Sequence, residues 1–161
     1  MLNALAIIGA KYLFLLLAGL AFIYCLKQSR AEQKRLLLFA TLALPLTFII
    51  GKLGGFLYDD PRPFITDHFA PLIPHEADNG FPSDHTLLCA AIAMIIYPSN
   101  KRLSLILWIL TLLVGISRIG AGLHHATDII GSILIAIVAA WIVKHTVTIL
   151  QCRYKDDSID N

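Results

Sequence analysis

The sequence predicts an all-α protein, a polytopic bundle of about five helices that span a membrane, and three observations support this. Of its 161 residues, 57% are hydrophobic and 15% are charged, whereas soluble domains carry about 45–50% apolar and about 25% charged residues. The apolar residues gather into runs that approach the ~20 residues needed to cross a bilayer. An open sheet would leave backbone groups unpaired in lipid, so helices are the expected elements.

Five apolar runs divide the chain. They are residues 4–26, 36–58, 86–97, 103–119 and 129–143. The first run is interrupted by Lys11, and the second contains Pro45, where we expect a kink. The third run is short, but a helix that begins near Ser83 would lengthen it. We expect Thr127 to cap the fifth helix.

The whole chain, residues 1–161, is predicted to form one membrane-embedded domain. The first run starts at once and lacks a basic leader, so we interpret it as a retained anchor. Residues 156–161 are predicted to form a frayed acidic end. The three cysteines, Cys25, Cys89 and Cys152, are interpreted as small hydrophobic residues and not as a disulfide framework. A net charge of +2 gives no reason to expect a nucleic-acid partner.

Basic residues predict the orientation of the bundle. They concentrate in residues 27–35, in residues 99–102 and in the tail after residue 143. With five spans these segments lie on one side, which the positive-inside rule makes cytoplasmic. The N-terminus, the long loop of residues 59–82 and the turn at residues 120–125 then face outward.

Three polar islands interrupt the apolar chain, and the last of them joins Ser117-Arg118 to His124 and Asp128. A spacing of four places a histidine and a carboxylate on one face of a helix. The carboxylate can then hold the proton on Nδ1 and leave Nε2 free as a nucleophile, while Arg118 can clamp phosphate oxygens. His125 also lies within reach of Asp128, so spacing leaves the choice of nucleophile open. The alternative is a helix-capping Asp128 beside interfacial histidines.

The second island, Pro82-Ser83-Asp84-His85, directly precedes an apolar run. Ser83 or Asp84 can cap the helix, and a helix N-terminus presents free N–H groups that suit a phosphate. The Ser83 hydroxyl and the backbone N–H groups of Asp84 and His85 are the expected phosphate ligands. The His85 side chain could donate a proton to a leaving oxygen. An ordinary cap beside an interfacial histidine is the alternative.

The first island is Asp60-Pro61-Arg62-Pro63-Phe64. Prolines on both sides of Arg62 stiffen the backbone, and a constrained arginine suits phosphate recognition. Lys52, ten residues earlier, could add a second positive charge. Snorkelling of the Lys52 side chain to the headgroups is an equal alternative, as it is for Lys11.

Together the islands resemble the type 2 phosphatidic acid phosphatase family. That family's pattern is a Lys with Arg-Pro, then Pro-Ser-x-His, then Ser-Arg-x5-His-x3-Asp. The matching residues are Lys52, Arg62-Pro63, Pro82-Ser83-Asp84-His85, Ser117-Arg118, His124 and Asp128. The resemblance is strong over about residues 52–131. One position departs from it, because the family's lysine lies seven residues before the arginine, where this chain has Gly55.

The resemblance implies a role for each matching residue. His124 would be the nucleophile, Asp128 would orient it, and His85 would be the general acid and base. The phosphoryl group would be bound by Arg62, Arg118, Ser83 and the backbone of Asp84 and His85, with Lys52 as a further candidate ligand. The family needs no metal ion and no other cofactor.

Residues 72–85 are similar to the corresponding stretch of bacitracin-resistance-type undecaprenyl pyrophosphate phosphatases. This implies hydrolysis of the terminal phosphate of undecaprenyl pyrophosphate through a phosphohistidine, which recycles the lipid carrier of cell-envelope synthesis. It also implies a bacterial cytoplasmic membrane with the site facing outward. Phosphatidylglycerol phosphate and phosphatidic acid are the alternative substrates.

Two other classes of protein fit parts of the pattern. A metal-dependent hydrolase could use ligands from His85, Asp84, His124, His125 and Asp128, but two arginines beside them would repel a dication. A transporter could line a pathway with buried charges, but here the charges gather at one face of the predicted bundle.

Overall fold

The computed structural model describes residues 1–157, with side chains as far as residue 148, and it is all-helical in this part. Six helices follow one another. They are α1 (Leu2–Leu26), α2 (Arg30–Leu57), α3 (Pro63–Thr66), α4 (Asp84–Ile96), α5 (Lys101–Gly120) and α6 (Ala126–Asp157). Four of them are long and apolar enough to cross a membrane, namely α1, α2, α5 and α6, whereas α4 is a shorter apolar helix of 13 residues. The predicted helical bundle is therefore confirmed.

The short helix α4 lies at the centre of the bundle and packs against α1, α2, α5 and α6. Its buried positions are mostly small, including Cys89, Ala90, Ala91 and Ala93. Small residues let neighbouring helices approach closely, which is how helices associate in lipid. The outer faces of the long helices carry large exposed apolar side chains such as Leu15, which suits contact with acyl chains.

Contacts made by the connections define two ends of the bundle. At one end, the Ser99 hydroxyl in the α4–α5 connection hydrogen-bonds to the Tyr24 hydroxyl and to the Glu32 carboxylate. At the other end, the backbone N–H of Leu72 in the long α2–α4 connection donates to the Ala121 carbonyl, 3.1 Å away. The basic segments 27–35 and 99–102 thus lie opposite the two connections that carry the polar islands.

Two local predictions are corrected. Thr127 is not the N-cap of α6, because it lies inside the first turn and its hydroxyl donates to Asp60 Oδ2 at 3.1 Å. Ser83 does occupy the N-cap position of α4, but its side chain accepts no cap hydrogen bond. Helix α2 continues through Pro45 to Leu57, and the kink expected at Pro45 stays a prediction.

The structure describes only some of the residues for which predictions were made near the C-terminus. Of the acidic end predicted to be frayed, residues 156 and 157 belong to the last turn of α6, and residues 158–161 lie outside the described residues. The side chain of Cys152 also lies outside them. Cys25 is half-buried and Cys89 is buried, and both are free thiols.

One asparagine holds the long connection against α2. The Asn79 side-chain amide donates to the carbonyls of Gly55 (2.7 Å) and Tyr58 (2.9 Å), and its oxygen accepts from the backbone N–H groups of Asp60 (3.0 Å) and Phe81 (2.9 Å). The amide therefore uses both its donor and its acceptor groups. This fixes the loop at the point where it carries the first polar island over the end of the bundle.

Candidate active site

A cavity of about 320 Å³ opens at the loop end of the bundle. It collects residues from α2, α4, α5, the long α2–α4 connection and the α5–α6 turn. The charged and ionisable residues that line it are Lys52, Arg62, His75, Asp78, Asp84, His85, Arg118 and His124. The three polar islands, distant in sequence, therefore meet around one space.

His124 is buried at the wall of this cavity, and its ring is held at both nitrogens. Nε2 lies 3.3 Å from Arg62 Nη1 and 3.2 Å from Arg118 Nη2. A guanidinium can only donate hydrogen bonds, so Nε2 must present its lone pair. The proton then resides on Nδ1, which donates to the Gly80 carbonyl at 2.9 Å and to Asp128 Oδ2 at 3.2 Å. The structure thus favours one tautomer, with Nε2 as the free base.

Asp128 reaches His124 by a different route from the one its spacing predicts. Helix α6 begins at Ala126, so His124 lies before the helix and the two residues do not share a helical face. Instead, Asp128 Oδ2 also accepts the backbone N–H of His125 at 2.9 Å, which folds the turn back onto the first turn of α6. The Ser132 hydroxyl donates to the Asp128 carbonyl and to the Ser83 carbonyl, and so ties α6 to α4.

A glycine at position 80 lets the loop pass close to Asp128. A Cβ atom at this position would lie 3.0 Å from Asp128 Oδ2 and 3.0 Å from the Asp60 carbonyl oxygen. Both distances are tighter than most Cβ contacts, so a side chain here would require Asp128 or the loop to shift by a few tenths of an ångström. The Gly80 carbonyl is one of the two acceptors that hold the His124 proton, so such a shift would act directly on the nucleophile.

Burial lowers the pKa of His124 below that of an ordinary imidazole. The Asp128 carboxylate opposes this shift, and the positive charges of Arg118 and Arg62 add to it. The imidazole is therefore neutral near pH 7, as a nucleophile requires.

Arg62 is fixed by the loop that carries it. Its Nε donates to Asp78 Oδ1 at 2.6 Å, and its Nη1 donates to the Leu123 carbonyl at 3.0 Å as well as pointing at His124. The hydrogen bond from Arg62 lowers the pKa of the Asp78 carboxyl group below its usual range. Asp78 therefore stays ionised and keeps the guanidinium aimed into the cavity.

Arg118 approaches His124 from the last turn of α5. Its side chain is as buried as that of Arg62, with 5% of each residue exposed. Its Nη2 points at His124, and its Nε has no hydrogen-bond partner among the described residues. A buried cation with an unused donor is well placed to bind an anion.

The start of α4 supplies the floor of the cavity. Asp84 and His85 line it, and the His85 ring makes a T-shaped contact with the ring of Phe14 of α1, with 4.7 Å between the ring centres. The first N–H groups of a helix lack intrahelical acceptors, so this end can receive phosphate oxygens. Ser83 is fully buried behind the wall, where its Oγ accepts from the Thr86 hydroxyl at 3.2 Å. Its predicted contact with phosphate stays a prediction.

Lys52 also lines the cavity, while Lys11 does not. The Lys52 ammonium lies 5.1 Å from the centre of the Phe48 ring, at the edge of the site. The structure explains the departure at Gly55, because a Cβ there would lie 2.7 Å from the Phe81 carbonyl oxygen. A lysine cannot occupy position 55 while the loop packs so closely, and the cation stands one helical turn earlier.

Sequence reasoning did not identify Asp78, His75, Asn79 or Ser132 as site residues. Asp78, His75 and Asn79 lie in the stretch of residues 72–85, whose polar composition inside an apolar chain was the available signal. Ser132 follows Asp128 by four residues, which is helical spacing. Without knowing which loop folds over the bundle, none of these could be tied to a partner.

Three side chains beside the cavity have the donor types of a cation site. Asp60, His125 and Asp128 each offer an atom within 4.8 Å of the others. His125 Nδ1 already lies 3.2 Å from Asp60 Oδ1, and none of the three lines the cavity. An ion bound here would therefore not face the lone pair of His124. The set predicted for a metal-dependent hydrolase is not gathered, because Asp84 and His85 lie outside this group.

The cavity combines a free imidazole nitrogen, two buried guanidinium groups and a helix N-terminus around one space. These groups match the needs of phosphoryl transfer, in which catalysis rests on positioning and on neutralising the charge of the transferred group. The imidazole is aimed at the point where both arginines converge, so an anion bound by the arginines would contact Nε2.

Comparisons with known proteins agree with this chemistry. The PAP2 superfamily model matches residues 36–151. Bacitracin transport permease protein BcrC of Bacillus licheniformis is 33% identical over 147 residues, which cover 91% of this chain and 72% of that protein. Undecaprenyl-diphosphatase BcrC of Bacillus subtilis (strain 168) is 35% identical over 111 residues, which cover 69% of this chain and 58% of that protein.

Among solved structures, the crystal structure of Aquifex aeolicus LpxE aligns with a TM-score of 0.68 and 25% identity, covering 89% of this chain and 83% of that one. The resemblance indicated by the three motifs is confirmed. The chain belongs to the PAP2 superfamily and is a membrane-embedded lipid phosphatase.

Proposed function

We propose that this phosphatase hydrolyses the terminal phosphate of undecaprenyl diphosphate through a phosphohistidine on His124. The observation that carries the proposal is the lone pair of His124 Nε2, which faces the meeting point of Arg62 and Arg118. The similarity to an undecaprenyl-diphosphatase supports the choice of substrate.

In the first step the terminal phosphate displaces the contacts between the arginines and Nε2 and is held by Arg62, Arg118 and the start of α4. Nε2 attacks the terminal phosphorus in line with the bridging oxygen. The N–P bond forms as the bond from phosphorus to the bridging oxygen breaks, and His85 gives a proton to that oxygen. The prenyl monophosphate leaves. Asp128 keeps the proton on Nδ1 and stabilises the positive charge that the ring acquires.

In the second step His85, now neutral, takes a proton from a water molecule. The water oxygen attacks phosphorus, the N–P bond breaks, and the electron pair returns to Nε2. Inorganic phosphate leaves and the free base of His124 is restored. The residues of this chain supply every proton transfer, and no cofactor enters the scheme.

The surroundings of the cavity support a substrate with a long apolar tail. A groove of about 490 Å³ lies between α2 and α4, lined mainly by apolar side chains such as Leu44, Phe48 and Leu87. Asp84 lines both the groove and the polar cavity. A lipid whose phosphate occupies the cavity can therefore place its tail between these helices.

The location of the basic segments supports the proposed orientation. Contacts of Ser99 with Tyr24 and Glu32 place residues 27–35 and 99–102 at the end of the bundle opposite the cavity, and basic connections favour the cytoplasmic side. The site would then face outward from the bacterial cytoplasmic membrane, where the product could be recycled as the lipid carrier of envelope synthesis.

Phosphate release by the purified protein in detergent tests the substrate. We expect undecaprenyl diphosphate to be hydrolysed with a higher kcat/KM than phosphatidylglycerol phosphate or phosphatidic acid. The His124→Ala variant is the inactive control. A clear preference for either glycerophospholipid would contradict the proposed substrate.

Labelling of intact cells tests the orientation. A cysteine introduced as Ala70→Cys, in a chain whose native cysteines are replaced by alanine, should react with an impermeant maleimide added outside. Labelling only in permeabilised cells would show that residue 70 faces the cytoplasm, which would contradict the proposed orientation.

A further inference from the structure

Two nitrogen-bearing side chains in the cavity, a lysine and a histidine, have no part in the scheme above. The terminal phosphate is bound by Arg62 and Arg118 and attacked by His124. The bridging oxygen receives a proton from His85. Lys52 and His75 remain, and both line the same cavity. At about 320 Å³ the cavity is comparable with small-molecule sites, which begin at roughly 300 Å³. It is larger than one phosphate group needs.

Lys52 stands where the polar cavity meets the apolar groove. Its ammonium lies 5.1 Å from the centre of the Phe48 ring, and Phe48 lines the groove. A diphosphate lipid must enter with its terminal phosphate at His124 and its tail in the groove. Its inner phosphate, which carries the tail, is then the part that passes Lys52.

His75 faces the cavity from the long connection. Its Nδ1 lies 3.9 Å from Asp78 Oδ1, the oxygen that accepts the hydrogen bond from Arg62. Partial burial and the charge of Arg62 lower the pKa of His75, so the ring is neutral in the free enzyme. A neutral imidazole still offers one N–H donor to an anion.

We propose that Lys52 and His75 form a second phosphate subsite that binds the inner phosphate of a diphosphate lipid. This inference rests on the proposed function, because only a diphosphate carries a second phosphate to fill the subsite. The subsite would make the enzyme select diphosphates over monophosphates by binding, without touching the phosphorus that is attacked.

Binding of two uncleavable analogues tests the subsite. The probes are a prenyl methylenediphosphonate and a prenyl phosphonate with the same tail, titrated calorimetrically into the detergent-solubilised protein. We expect the wild type to bind the diphosphonate at least about tenfold more tightly, and Lys52→Gln or His75→Asn to reduce that preference by about tenfold, the scale of one charge-assisted hydrogen bond.

Matched controls use residues of the same type or segment outside the cavity. Lys11→Gln controls for the loss of a membrane-embedded lysine, and Glu76→Gln controls for a change in the same loop. Both should keep the preference within twofold. Equal weakening of both analogues by the Lys52 and His75 variants, or no weakening, would overturn the subsite.

Turnover by the wild type separates this inference from the proposed function. If undecaprenyl diphosphate is hydrolysed preferentially while the variants keep the binding preference, only the subsite is wrong. If the wild type neither hydrolyses the diphosphate preferentially nor prefers the diphosphonate, both proposals fail.

Discussion

The two arginines that face His124 have equal burial but very different support. The loop wall, residues 58–83, carries Arg62, which is anchored to Asp78 and to the Leu123 carbonyl. The helix wall, formed by α5 and the start of α6, carries Arg118, whose Nε has no hydrogen-bond partner among the described residues. Both residues are 5% exposed.

This difference shows two ways of placing a cation in an apolar protein. The loop wall fixes its arginine through an ion pair and through the hydrogen bonds of Asn79. The helix wall carries its arginine on the last turn of α5, and among the described residues the Arg118 Nε has no hydrogen-bond partner. We therefore expect substitutions of the residues that anchor Arg62 to lower activity. On the helix wall, we expect only substitutions of the residues that contact the phosphate to do so.

The largest expected effect is at the nucleophile, His124, which lies in the turn between α5 and α6. His124→Ala removes the group that forms the covalent bond, so kcat should fall by on the order of 10⁴-fold or more, as for other nucleophile knockouts. The neighbouring His125→Ala is the matched control and should keep kcat within about threefold, because His125 does not line the cavity. Steady-state phosphate release measures both, and the reverse ranking would exchange the two roles.

Substitutions of the two arginines should have similar effects on the catalytic rate but different effects on stability. Arg62→Gln and Arg118→Gln should each lower kcat by roughly 10²–10³-fold, the scale of one lost donor to a developing negative charge. Only Arg62→Gln should also lower the Tm, because it releases Asp78 and the Leu123 carbonyl. Equal loss of Tm in both variants would contradict the comparison of the two walls.

Asp78→Asn gives a smaller effect that acts through Arg62. It weakens the anchor without removing the cation, so kcat/KM should fall by about tenfold. Because Asp78 is a positioning residue, the change should have no further effect in an Arg62→Gln background but should multiply the loss in an Arg118→Gln background. A further tenfold loss of kcat/KM in both backgrounds would show that Asp78 acts independently of Arg62.

The smallest expected effect is that of mild acid. The pKa of His124 in the folded protein lies below the usual value of ~6.5, so the free base persists as the pH falls through 6.5. The fall in kcat/KM that protonation of His124 causes should therefore be half complete only below pH 6.5. The profile is measured with two substrates whose phosphates titrate differently, and a shared midpoint at or above 6.5 would contradict the expected direction.

The sequence predicted the bundle and most of the cavity for physical reasons. Long apolar runs predict membrane helices directly. Charged side chains at membrane depth are energetically costly, so a cluster of them indicates a functional site. This is why Arg62, His85, Arg118 and His124 were identified correctly as neighbours of one cavity. The loop partners could not be predicted, since Asp78 reaches Arg62 only through the path that the α2–α4 connection takes.

Helix capping also depends on tertiary contacts that the local sequence does not show. Thr127 has a suitable residue type for a cap, but Asp128 takes the free N–H of His125. The spacing of His124 and Asp128 predicted their contact, although the contact is made from a turn and not along a helix. Local pattern therefore identified the pair, and tertiary packing decided its geometry.

Trapping the covalent intermediate is the sharpest experiment on whether His124 is the nucleophile. The wild-type enzyme is mixed with substrate labelled in its terminal phosphate, quenched in alkali during the first turnovers and digested. Mass spectrometry should find a phosphorylated histidine at position 124, stable in alkali and lost in acid. Label on any other residue, or turnover with no phosphohistidine under conditions that trap one in a known phosphohistidine enzyme, would contradict the account.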